Sequence, residues 1–151
     1  MSYYSVKTVV KLKNKEKLSF SYEYDNEIQP ELNTDLPFFR CNTIPEIINE
    51  ISDTFIDDCD FNLEEVIESF GYGDDYEEFK KKLNKHQPSD IATITLGVIA
   101  SDYPTDNVAL HWVKYDFGTR KMQSNTEKVE YTRSDSEYSD MRDKLVEKYV
   151  D

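Results

Sequence analysis

Thirteen carboxylates fall between residues 46 and 78, and no Lys or Arg interrupts them. They are Glu46, Glu50, Asp53, Asp57, Asp58, Asp60, Glu64, Glu65, Glu68, Asp74, Asp75, Glu77 and Glu78. Carboxylates can hold a hard cation, exchange protons as acid and base, or act through charge alone. Calcium comes first to mind, because Asp58, Asp60 and Asn62 occupy positions 1, 3 and 5 of an EF-hand loop. Leu63, however, stands where the sharp turn needs Gly, and Ser69 where a bidentate Glu belongs. The pattern fails at two deciding positions, so the expectation is nonspecific divalent binding and no metal site. Acid/base catalysis by a carboxylate pair gains no support, since 31 acids make any chosen pair uninformative.

Other chemistries have less material. His86 sits in a polar stretch and His111 between apolar neighbours, and neither accompanies a nucleophile in a known spacing. The sequence holds no G-x-S-x-G, H-E-x-x-H or C-x-x-C, and four glycines leave little for a phosphate-cradling loop. The chain reads as a binding protein without cofactor, not an enzyme.

Charge remains. Residues 1–40 carry six acids and six bases, and residues 80–151 carry twelve of each, so the central segment holds the whole net charge of -13. A compact block of one sign attracts the opposite sign and repels nucleic acid and anionic membrane. Within it Glu46/Glu50, Glu50/Asp53 and Asp53/Asp57 are like charges at helical spacing, which weaken a helix. A surface serving solubility alone would intersperse lysines. Lys80, Lys81, Lys82 and Lys85 enter abruptly at the far end, where they suit a helix C-terminus and offset the acids.

Carboxylates on short helices present negative charge at spacings comparable to nucleic-acid phosphates, and Phe55, Phe61, Phe70, Tyr72 and Tyr76 interleave as apolar anchors. The expected function is an acidic protein-binding inhibitor: a nucleic-acid mimic that blocks the basic cleft of a nuclease or another DNA- or RNA-binding protein. In composition and size the chain is similar to phage-encoded anti-restriction and anti-CRISPR proteins, although no motif carries residues over. An immunity protein neutralising a toxin nuclease would use the same electrostatics. A third reading is a small-ligand binder with a pocket under His111, Trp112 and Tyr115, and a fourth leaves the acids as solvated surface.

The elements that position these groups follow from periodicity. Residues 3–25 alternate as a β-hairpin, with Tyr4, Val6, Thr8, Val10 and Leu12, then Leu18, Phe20, Tyr22 and Tyr24, on one buried face and a lysine-rich face in water. Residues 26–42 read as a connector pinned by Phe38 and Phe39. Thr43 and Glu46 form a capping box that starts a helix with the stripe Ile44, Ile47, Ile48, Ile51 and Phe55. A second helix is predicted over residues 62–70, stopped by Gly71, and a third from about residue 75 to Pro88 with Tyr76, Phe79 and Leu83 inside. Residues 91–100 predict a central strand and 108–117 its antiparallel partner. Strand signals at 120–123 and 128–133 are weaker. A helix over 136–149 closes the chain on Tyr138, Met141, Leu145 and Tyr149.

The sum is a single α+β domain spanning residues 1–151. Its antiparallel sheet has four to six strands, packed with three short acidic helices and a C-terminal helix. No apolar run approaches the roughly 20 residues of a membrane span, and the start resembles no leader, so a cytoplasmic location is expected. Cys41 and Cys59 match no zinc or redox spacing and are expected as reduced thiols. Homodimerisation through a sheet edge stays open.

Overall fold

The computed structural model describes residues 2–25, 31–32, 38–56, 67, 71–102, 107–130 and 135–151. Its centre is a five-stranded antiparallel sheet in the order β2-β1-β5-β6-β7. The alternating N-terminal stretch forms β1 (Ser2–Leu12) and β2 (Lys17–Asp25), joined by a tight turn in which Lys15 takes φ 73°. The central strand is β5 (Ile91–Asp102), paired with β1 on one side and β6 (Asn107–Asp116) on the other. The two weaker signals merge into one strand, β7 (Lys121–Glu130), at the sheet's edge.

The first helix, α1 (Ile44–Thr54), begins as its capping residues dictate. The Glu46 N–H donates to Thr43 Oγ1 at 3.3 Å, and Glu46 Oε2 accepts from the Asn42 N–H at 3.1 Å. The helix ends one residue earlier than the apolar stripe suggested. Phe55 leaves it to form β4 (Phe55–Ile56) against β3 (Glu31–Leu32), a two-stranded ladder inside what reads as connector. The β-branched and aromatic run Thr54, Phe55, Ile56 favours a strand over continued helix. The predicted helix over 62–70 lies outside the described residues except for helical, buried Ile67. Its carbonyl accepts from the Tyr72 N–H at 2.9 Å across Gly71 at φ 84°, the six-to-one closure that ends a helix on a left-handed glycine.

The next helix, α2 (Gly73–Leu83), buries Tyr76, Phe79 and Leu83 as their spacing requires. It packs beside α1 on one sheet face, where both join Val6, Val10, Phe20, Leu96 and Tyr115 in the larger core. Phe38 is 1% exposed and meets the Tyr115 ring edge-on at 4.6 Å, so the connector is pinned as expected.

The other sheet face is not wholly wet, which corrects the hairpin reading. Val9 is 1% exposed and joins Ile99, Val108, Leu110, Leu145 and Val150 in a second core under the C-terminal helix α3 (Asp135–Tyr149). Gly97 permits that closeness: a Cβ there would lie 2.8 Å from Val150 Cγ2 and 3.2 Å from Leu110 Cδ1. Gly97→Ala should therefore destabilise the fold by about 1–3 kcal/mol through overpacking, measured by chemical denaturation.

Candidate functional site

Seven of the thirteen acids lie on two described helices. Asp74 and Asp75 open α2, where the helix dipole favours carboxylates, and Glu77 and Glu78 follow one turn later, all four exposed. On α1, Glu46 is exposed and Glu50 half-buried, and Asp53 lies in the last turn. The two helices are fixed to each other as well as to the sheet, because Ser52 Oγ and Tyr76 Oη lie 2.8 Å apart. Asp57, Asp58, Asp60, Glu64, Glu65 and Glu68 lie outside the described residues, as do Cys59 and the loop compared with an EF-hand. Among the described residues no three His, Cys, Asp or Glu gather around a possible metal position.

Several of these carboxylates are already engaged. Glu46 caps its own helix. Lys80 Nζ lies 2.6 Å from Glu77 Oε1 and Lys82 Nζ 3.2 Å from Glu78 Oε1, so two of the four lysines that follow the block offset it from within the helix. Asp74 and Asp75 make no ion pair with a described residue. They are the acids of α2 most open to a partner.

Sequence reading did not show how closely lysines gather on the other sheet face. Strand register places Lys11 directly across from Lys17 on the face away from α1 and α2, with Lys7 and Lys114 on the same face. Burial, then the charges of Lys17 and Lys114, lower the Lys11 pKa, while Asp151 opposes the shift. Asp151 answers this cluster: its carboxylate lies 2.6 Å from Lys7 Nζ, and its carbonyl accepts from Lys17 at 3.3 Å. The hairpin lysines thus gather with Lys114 on the sheet face that α3 covers, and α3 itself carries five acids and three bases. Alternation made the hairpin lysines visible, but only the β5–β6 register adds Lys114.

The pocket imagined under three aromatic-rich positions does not form as one space. His111 and Tyr115 point to the α1–α2 face, and Trp112 points to the α3 face, where it stacks on Tyr149 at 5.9 Å. His111 Nδ1 lies 2.9 Å from Thr126 Oγ1, and burial and then Lys128 lower its pKa below 6.5. The unfolded chain therefore takes up this proton first. Stability conferred by neutral His111 is present above pH 6.5 and lost as pH falls below it. The melting temperature of His111→Gln should show a shallower fall than wild type between pH 7 and pH 5.

A cavity of about 180 Å³ does open elsewhere, between Phe39, Phe117, Ile91 and the half-buried Cys41, with Lys13 and Arg120 at its rim. Arg120, at φ 57°, donates to the Phe39 carbonyl at 3.2 Å. Burial, then Glu50 and Glu46, raise the pKa of the Cys41 thiol, which disfavours a reactive thiolate.

Among the described residues no helix is long and apolar enough to cross a membrane. No protein-family model, curated protein or solved structure matches the chain.

Proposed function

We propose that the chain is an acidic inhibitor that occupies the cationic cleft of a nuclease or another nucleic-acid-processing enzyme. The observation that carries the reading is the unbalanced run of thirteen acids, of which Glu46, Glu50, Asp53, Asp74, Asp75, Glu77 and Glu78 ride on two helices that a shared core and the Ser52–Tyr76 contact hold in place. Carboxylates on packed helices keep a constant spacing without the ordering entropy a disordered acidic tail would lose on binding. A basic groove that holds phosphates chiefly by charge has little with which to reject them. Anti-restriction and anti-CRISPR activity and toxin immunity are the functions that use this mode of binding, in the cytoplasm where such enzymes work.

The test is a protein carrying Asn or Gln at Asp53, Asp57, Asp58, Glu64, Glu65 and Glu68. It should keep the fold and lose affinity for the basic partner, with the wild-type interaction weakening steeply as salt rises. Equal affinity in the neutral variant would end the proposal.

A further inference from the structure

A groove of about 320 Å³ runs between β2 and α2, with residues 17–21 along one side and Asp75, Glu78, Phe79 and Lys82 along the other. β2 is an edge strand: among the described residues it pairs only with β1. The Leu12 N–H donates to the Glu16 carbonyl at 2.9 Å, so alternation makes 10/18, 8/20 and 6/22 the hydrogen-bonded pairs. The N–H and C=O groups of Ser19 and Ser21 consequently face away from β1, into the groove, and no described residue bonds them. We infer that this groove receives an extended segment of the protein partner as an added strand on β2.

Charge sets the direction. Tyr72 packs on Tyr22 at 6.2 Å, and Tyr76 and Phe79 pack on Phe20 at 5.0 and 6.1 Å, so α2 runs antiparallel to β2. Asp75 therefore stands toward the Ser21 end of the groove, while Lys17, which donates to the Asp151 carbonyl, and Lys82, paired with Glu78, stand toward the other. A strand antiparallel to β2 enters at the acidic end and leaves at the basic end. The fitting segment is basic in its first half and carries a carboxylate, from a side chain or the chain terminus, three to five residues later. Backbone pairing supplies affinity, and Asp75, which makes no ion pair with a described residue, selects a cationic side chain. The site rests on the proposed function for the sign of the partner, and on the geometry of β2 for the mode of binding.

The probe is a fluorescent heptapeptide, Lys-Val-Lys-Val-Thr-Val-Asp, compared with the same residues in reverse order by anisotropy. Amide hydrogen exchange of the full chain is followed with and without it. The first peptide should bind at least about tenfold more tightly than the second, and the outward-facing amides of β2, Ser19 and Ser21 above all, should gain protection while Leu18, Phe20 and Tyr22, already bonded to β1, change little. Ser21→Pro removes an outward N–H that the fold does not use, so its thermal melt should match wild type while peptide affinity falls about tenfold or more. Ser19→Pro, or the exchange data on wild type alone, serves if that variant misfolds. No binding, binding with Ser19 and Ser21 still exchanging freely, or full affinity in folded Ser21→Pro would overturn the inference. The six-residue neutral variant keeps β2, Asp75 and Glu78 and should retain the peptide. A basic enzyme lost by that variant but held by Ser21→Pro would leave the acidic mimic standing and remove strand addition.

Discussion

Ile47→Ala should lower stability by about 2–5 kcal/mol. Ile47 is fully buried and sits where the apolar stripe of α1 meets the sheet. Removing its side chain loses transfer free energy and leaves a cavity that the surrounding β-strands, braced on both sides by hydrogen-bonded neighbours, close only in part. The consequence reaches the acids, because Glu46, Glu50 and Asp53 ride on the same helix. Urea denaturation followed by circular dichroism should show a midpoint shift with little change in slope. A shift under about 0.5 kcal/mol, the size of an ordinary surface substitution, would mean that α1 is not held as described.

Neutralising Asp53, Asp57, Asp58, Glu64, Glu65 and Glu68 should act in the opposite way, with a large effect on association and none or a gain in stability. Electrostatic steering raises association rates by about 10 to 10³ at low ionic strength, and most of that factor should disappear with the six charges. Like charges at helical spacing repel, and their removal relieves that repulsion by a few tenths of a kcal/mol per pair. Stopped-flow association and thermal melting of the same preparation separate the two effects. A variant that associates normally but melts early would show the acids to be structural.

Much of this architecture was legible because burial imposes a period. Val6, Val10, Phe20, Ile94 and Leu96 point to one core and announce it by alternation. Where one side chain breaks the period the reading failed: Val9 faces the opposite way and marks a second core that only the position of α3 explains. Phe55 kept helical spacing yet pairs in β4, a tertiary contact overriding a local pattern. β7 gave two faint signals because residues 121 to 126 are exposed on both faces, which leaves no alternation to read. The acids of the candidate site were visible as composition. The Glu77–Lys80 pair follows from spacing, whereas the lysine cluster needs a strand register and the β2–α2 groove needs the edge position of β2.

Whether the acid block binds anything is decided most directly by capture from bacterial lysate at low salt, with wild type and the six-residue neutral variant side by side. Retained proteins are eluted in rising salt and identified by mass spectrometry. The proposed function predicts a basic nucleic-acid enzyme on the wild type alone, released as salt screens the charges over a Debye length of about 10 Å at 0.1 M. Identical eluates from the two proteins would contradict it and leave the acids as a solvated surface.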